Sequence, residues 1–476
     1  MNHPGKRARG RTVLGVAAVV ACVGSLALST TARASDHGGS DDDVVRAAVD
    51  EGEIQHVMVI DMENENFSAT FGAASPATYL NNVLLKQGEL IENYYGTSHV
   101  SLGNYTSQVS GQAPTGDINN DCLNLASLRN PPVTGGFTNI TPGTAATDQM
   151  AFPGQIVGNG CVFPASVATI ADQLDGQRRK GDGRAKVAWR SYAEDMGNNP
   201  ARDYGTTDPL GGTDCAHPPI GGVDNSNSAS ASDQYATRHN PFVYFHSVID
   251  DASRCNRGVV PMGTVTVGGN GAPDTFSGHL YNDLQSRSTT PRFSFVTPNL
   301  CNDGHDATCA GPNVEGTTNA AGKNVGGLVS MDLWLKHWIP MILDSPAYRS
   351  GKLLVVLTFD ESGFSDARSC CGNQFGPNTD NPGFSPVLGL FGLQKPPTAP
   401  GVYPGGGQVG AVLFNAEHIV AGSRNTTGFY NHYSALRSYE DMLGLTKGGD
   451  DGFGHLGLGS LASATPFGHD VFNRKD

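Results

Sequence analysis

Two apolar runs, each ending in carboxylates, constrain this chain more than any other feature. Val57-Met58-Val59-Ile60 leads into Asp61-Met62-Glu63-Asn64, and Leu353-Leu354-Val355-Val356-Leu357 leads into Asp360-Glu361. Uninterrupted apolar runs of this length suit strands buried on both faces of a parallel sheet. Open α/β sheets bind ligands beyond the carboxyl ends of their strands. Acids stationed there predict a site for a hard cation.

The chain opens with a different signal. Lys6, Arg7, Arg9 and Arg11 precede an apolar stretch from Val13 to Leu28, and Ala32-Arg33-Ala34 fits a cleavage site before Ser35. Residues 1–34 therefore read as a secretory signal peptide, with a lipoprotein box ending at Cys22 as a lesser alternative. No later segment is apolar and long enough to span a bilayer, so no stable membrane insertion is expected. Without the signal the chain carries 26 Lys+Arg against 45 Asp+Glu, a balance of −19. That charge argues against nucleic acid or an anionic membrane as partner. Of nine cysteines, eight follow the signal, an even number that implies disulfides in an exported protein. Sequence order suggests Cys122–Cys161, Cys215–Cys255 and Cys301–Cys309. Cys370 and Cys371 pair with each other or with other partners.

Residues 35–50 are acidic and polar and are expected to be a disordered leader; residues 51–476 are expected to form a single domain. Strands are predicted at 57–61, 187–191, 242–247, 293–297, 353–359 and 409–414. Helices are predicted at 101–110, 165–177, 327–344 and 431–443. Alternation of the two favours an α/β sandwich with a central, mostly parallel sheet. Gly-, Pro- and Asn-rich segments at about 112–163, 197–234 and 362–408 are expected to be long loops that carry the disulfides.

Four further clusters carry chemistry. Ser98-His99-Val100-Ser101-Leu102-Gly103-Asn104-Tyr105 opens a predicted helix. A hydroxyl there sits where backbone N–H groups favour an anion, although Ser101 also fits a plain N-cap. Thr297-Pro298-Asn299, with Asn302-Asp303-Gly304-His305-Asp306, follows a predicted strand. Asp303 and His305 suit a second metal, the substrate, or ordinary hydrogen bonding. His239 lies before a predicted strand and His432 at a helix start. Glu63 and Asn64 also fit helix capping, and Asp360-Glu361 a solvated turn.

In order, these motifs resemble the bacterial phosphoesterase family of acid phosphatases and phospholipases C, within the alkaline phosphatase superfamily. The resemblance spans about Ile54 to Leu445. It rests on His56–Asn64 with Phe67 and Phe71-Gly72; on Ser98–Tyr105; on Arg238-His239-Asn240-Pro241-Phe242; on Asn299 to Asp306; on Thr358–Glu361; and on Asn431–Arg437. It implies an alkaline-phosphatase-like three-layer sandwich. It implies a divalent metal (Ca, Mg, Mn, Fe or Zn) held by Glu63, Asn64, Asp360 and Glu361, with Ser101 and Asp303 as further ligands. It makes Ser101 the nucleophile, with His305 and His432 as proton-transfer groups. Asn104, His239, Asn299 and Asp117 become substrate contacts. The expected substrate is a small phosphate ester or a phospholipid headgroup. The expected activity is monoester hydrolysis through a phospho-enzyme, with a phospholipase C-like phosphodiesterase as alternative and a non-catalytic phosphate-binding protein as a further rival. Two departures stand out: Gly103 replaces the usual Pro, and Glu65-Asn66 replaces a His-Ser or Arg-Ser pair. The short chain after the His432 helix leans towards the phosphatase-like members.

Overall fold

The computed structural model describes residues 45–123, 136–178, 187–226, 229–371 and 375–474; the expected signal peptide and residues 35–44 of the leader lie outside these. The main sheet has eight strands. They are β1 (His56–Met62), β2 (Glu89–Ile91), β3 (Trp189–Ala193), β4 (Val259–Pro261), β5 (Phe293–Thr297), β6 (Leu353–Phe359), β7 (Ala411–Phe414) and β8 (Arg424–Asn425), in the order β8-β2-β7-β6-β1-β5-β3-β4. Only β7 runs against its neighbours. The sheet is therefore mostly parallel, and β1 lies at its centre with Val57 beside Phe293 of β5 and Leu354 of β6.

Every residue of β1, β5 and β6 is buried. A strand buried along its whole length has both faces covered, which makes the domain three layers deep. One face packs on α1 (Ser101–Ser110) and, later in the chain, His432–Met442. Tyr105 of α1 sets its ring edge-on to Phe295, and Tyr439 packs on Phe293. Three other helices bear on the argument: α2 (Ile170–Arg178), α3 (Gly327–Leu343) and α4 (His432–Met442). Met331, Trp334, Leu335, Trp338, Ile339 and Ile342 of α3 recur at helical spacing and join the same core. No helix among the described residues is long and apolar enough to cross a membrane.

Several expectations change. Residues 242–247 form no strand: Pro241–Tyr244 is a 3₁₀ turn and His246–Ile249 a short helix. A short buried apolar run does not by itself separate strand from compact turn, and Pro241 presets a helical φ at its start. α2 begins five residues late. Thr169 donates its N–H and hydroxyl to Asp172 Oδ2, both at 2.8 Å, which fixes the first turn there. The leader's last residues are not disordered: Val49 is buried and Ala47 N donates to Asp441 Oδ2 at 2.9 Å. The apolar side chain of Val49 outweighs the acidic composition that predicted disorder.

Four disulfides close Cys122–Cys161, Cys215–Cys255, Cys301–Cys309 and Cys370–Cys371. The first two bridge separations of 39 and 40 residues. Loops of that size restrict the unfolded chain enough to stabilise the fold by about 4 kcal/mol each.

Candidate active site

The parallel strands β1, β3, β5 and β6 end on one side of the sheet, and their exits are joined by backbone bonds. Asp360 N donates to the Met62 carbonyl at 2.9 Å and Glu63 N to the Asp303 carbonyl at 3.0 Å. Asn64 follows with φ +48°, a left-handed conformation that Asn tolerates better than most residues. Its N–H donates to Asp360 Oδ1 at 3.1 Å. With its amide turned so that the nitrogen faces the acids, Asn64 donates to Asp360 Oδ1 at 3.2 Å and Glu361 Oε1 at 3.0 Å. Its oxygen then accepts from His305 Nε2 at 2.7 Å. One residue thus ties together the exits of β1, β5 and β6.

Ser101 is the first residue of α1, and Val100, not Ser101, occupies the cap position. The serine side chain is therefore not spent on its own helix. Its Oγ donates to Glu63 Oε2 at 2.9 Å, while Tyr105, one turn on, donates to Glu63 Oε1 at 2.5 Å. A carboxylate from outside serves the helix start: Asp121 Oδ1 accepts from Leu102 N at 2.9 Å. All ten residues of α1 are buried. At Gly103 a Cβ would lie 2.2 Å from Ser98 Oγ. The helix start is pressed against the 97–98 turn, which favours glycine at 103.

Glu63, Asp303, Asp360 and Glu361 are all buried. Burial pushes Glu63 and Asp360 far above the usual carboxylate range. Asp303 adds to the effect on Glu63; Glu63 and Glu361 add to it on Asp360. Asp303 is pushed up to about 6, again chiefly by burial. Asp360 Oδ2 and Asp303 Oδ2 have no hydrogen-bond partner. Buried acids that repel one another and keep orphan oxygens fit a divalent cation. Glu63, Asp360 and Glu361 do not converge as a trio within 4.8 Å; the Asn64 amide nitrogen and the Ser101 hydroxyl donate to their oxygens.

The histidines divide into different roles. His305 caps the exit of β5: Nδ1 bonds Asp306 Oδ1 at 2.7 Å and the ring is partly exposed. Burial lowers its pKa, but Asp306, Asp303 and Glu63 outweigh that and raise it to about 9. His239 stacks on Tyr105 with ring centroids 5.2 Å apart, and its Nε2 lies 3.2 Å from Glu63 Oε1. Burial, then the charges of Arg238 and His305, hold it well below the usual range, so it is neutral. His432 lies behind the acids: its Nε2 donates to the Asp360 carbonyl at 2.6 Å, its Nδ1 faces the Tyr94 hydroxyl at 3.2 Å, and burial lowers it to about 4.

Three expected substrate contacts have protein partners in the structure. Asn104 Oδ1 accepts from Thr97 N at 2.8 Å and Ser98 N at 3.0 Å, and its Nδ2 donates to the Ser98 carbonyl at 2.9 Å. Its amide is consumed holding the turn before Ser101. Asn299 spends its side chain on Asp195, Cys301 N and Asn302 N, which shapes the loop to Asp303. Asp117 N donates to Asn159 Oδ1 at 3.0 Å.

Residues inside the quoted motifs, but given no role there, complete the site. His99 Nδ1 contacts Glu361 Oε2 at 2.6 Å, and its Nε2 contacts the Asp366 carbonyl at 2.9 Å. Burial opposes its charge, but Glu361 overrides this and raises its pKa. Arg238 Nε lies 3.7 Å from Asp121 Oδ2. Tyr105 gave no signal because an aromatic on a buried helix looks like core. Arg238 did have one, in its place beside His239. A cleft of about 840 Å³ opens beside the turn, with Asn66, Phe67, Asp366, Arg368, Tyr403 and Gln408 in its wall.

No family model matches the chain. The sequence is similar to fungal acid phosphatases. It is 26% identical over 278 residues to the phosphate-repressible acid phosphatase of Penicillium chrysogenum, spanning 58% of this chain and 42% of that protein. It is 24% identical over 408 residues to a probable acid phosphatase of Kluyveromyces lactis, spanning 86% of this chain and 62% of that protein. The chain thus matches only about two-fifths to three-fifths of these relatives. Among solved structures, it aligns with a protein in the alkaline phosphatase superfamily from Vibrio parahaemolyticus at TM-score 0.40 and 10% identity, over 85% of this chain and 71% of that one. It aligns with the phosphonate monoester hydrolase of Agrobacterium radiobacter at TM-score 0.34 and 12% identity, over 82% and 74%.

Proposed function

We propose that this chain is an exported phosphoesterase of acid-phosphatase type, with Ser101 as nucleophile and Glu63, Asn64, Asp360, Glu361 and Asp303 as the holders of a divalent cation. The observation that carries this reading is the Ser101 hydroxyl at the start of a buried helix, 2.9 Å from a buried carboxylate in a cluster with orphan oxygens. Similarity to acid phosphatases supports the same chemistry. A capture protein needs no such hydroxyl.

A bound cation would lower the hydroxyl pKa and offset charge on the phosphoryl oxygens. Ser101 Oγ passes its proton to Glu63 Oε2, to which it is hydrogen-bonded, and attacks phosphorus; an O–P bond forms and the ester P–O bond breaks. Backbone N–H groups at the start of α1 and the nearby Arg238 charge stabilise the phosphoryl oxygens. His305, held protonated and partly open to solvent, gives its proton to the leaving oxygen. Neutral His239 orients Glu63, and water then releases phosphate from Ser101. Turnover of a chromogenic phosphate monoester tests the assignment, and full activity in Ser101→Ala removes the nucleophile.

One observation favours a second reading, hydrolysis of a lipid phosphodiester. Leu390, Phe391 and Leu393 are each roughly half exposed, and Gln394 ties this segment to the Phe364 and Gly383 carbonyls near the cleft. An apolar rim of this kind suits an acyl chain. Rates on a monoester and on phosphatidylcholine vesicles separate the two; faster vesicle turnover, lost in Phe391→Ser, selects the second.

A further inference from the structure

We propose that Asp208, Asp214 and His279 form a second divalent-cation site that clips the 197–234 segment to the domain. Among the described residues, this is the one group of three His, Cys, Asp or Glu whose ligand atoms all lie within 4.8 Å of one another. None of the bonds these residues make reaches Glu63, Ser101 or Asp360.

The local chain explains the convergence. Thr206–Thr207 pairs antiparallel with Thr213–Asp214. Asp208 and Asp214 therefore flank a tight turn, closed by Asp208 N to the Gly212 carbonyl at 3.1 Å. Glycine is required at 212, where φ is +89° and a Cβ would meet the Met196 carbonyl at 2.5 Å. The Cys215–Cys255 disulfide, one residue beyond Asp214, fixes the hairpin. His279 begins a short helix on a distant part of the chain, and its Nε2 lies 2.8 Å from Asp208 Oδ2.

The donor atoms are suited to an ion. Asp208 Oδ1 is occupied by Leu210 N, which leaves Oδ2 facing His279. Asp214 is only 7% exposed, and its Oδ1 has no hydrogen-bond partner. Two buried acids facing each other with an orphan oxygen is an arrangement that a cation neutralises. Ligand atoms at about 2.1 Å from a tetrahedral metal stand about 3.4 Å apart, so the His279–Asp208 pair, now hydrogen-bonded at 2.8 Å, opens slightly on binding. Two carboxylates and one imidazole favour a borderline ion such as Zn²⁺ or Mn²⁺ over Ca²⁺.

Binding shifts protons in a defined way. His279 becomes a ligand by moving its single ring proton from Nε2, where it is donated to Asp208, to Nδ1. Arg190 Nη1 lies 3.3 Å from that Nδ1, and it already pairs with Asp283, to which it can turn fully. Tyr192 also donates to Asp283, so this second carboxylate stays anchored behind the site.

The test uses the full chain, stripped by chelator and titrated with Zn²⁺ alone, with metal content per chain measured in parallel. Wild type is expected to bind one more ion per chain than Asp214→Asn or His279→Gln, and to gain several degrees more in melting temperature. Both variants are expected to keep monoester turnover when assayed in excess metal. Equal stoichiometry in wild type and both variants overturns the site, and so does an equal gain in melting temperature. Should Asp214→Asn not fold, His279→Gln decides alone, because its partly exposed ring is the least structural member. A loss of turnover without a loss of one ion also overturns the proposal.

Discussion

Two buried clusters of acids and histidine teach different lessons. Around His455, acids and base are matched. Its Nδ1 contacts Asp451 Oδ2 at 2.5 Å and its Nε2 Asp441 Oδ1 at 2.9 Å, while Arg46 and Ala47 N take the rest of Asp441. Around Ser101, acids outnumber cations, and orphan oxygens remain on Asp360 and Asp303. The first arrangement holds the C-terminal segment in place. The second costs stability and is tolerated because another charge is expected there. Glu440 Oε2 is the exception in the first cluster, a buried oxygen without a partner.

The comparison breaks most sharply at Ser101. Ser101→Ala is expected to lower monoester turnover by about a thousandfold or more, while circular dichroism stays unchanged. Asp360→Asn is next: metal content drops, turnover falls by about a hundredfold, and the apo-protein melts higher because one repelling charge is gone. A lower apo melting temperature would mean that this cluster, too, is structural. Asp441→Asn is expected to do the reverse, destabilising by about 3 kcal/mol in chemical denaturation with turnover per folded molecule intact.

The smallest effect is in pH. Burial disfavours the charged form of His455, but its contacts with Asp441 and Asp451 outweigh that and raise its pKa from 6.5 to about 9. The folded chain holds this proton more tightly than the unfolded chain, so the contribution is whole below pH 6.5 and is lost as pH rises to about 9. His56, lowered by burial to about 4, acts oppositely. It changes nothing above pH 6.5 and destabilises as pH falls towards 4, because only the unfolded chain takes up the proton. Melting curves from pH 4 to 9 for His455→Asn and His56→Asn should each lose one limb of the stability profile.

Much of this was legible in the chain, for physical reasons. Long apolar runs specify β1, β5 and β6, and acids directly after them must sit at strand exits. The first three disulfides follow from proximity in sequence. Strands of two or three residues, such as Glu89–Ile91 and Arg424–Asn425, carry too little pattern to register. The backbone partners of Asn104, Asn299 and His432 were not legible, because residue type does not reveal which way an amide or ring faces. Asp121 was missed because it reaches Leu102 from a left-handed turn that follows no strand. Asp208 and His279 are 71 residues apart, and no local pattern links them.

The Cys122–Cys161 bridge begins at the residue next to Asp121, the acid that secures the start of α1. If Ser101 is the nucleophile as proposed, catalytic competence is tethered to an oxidising milieu. Mild reductant should silence turnover before the domain melts, and following the two signals together through a dithiothreitol series would show whether they part company.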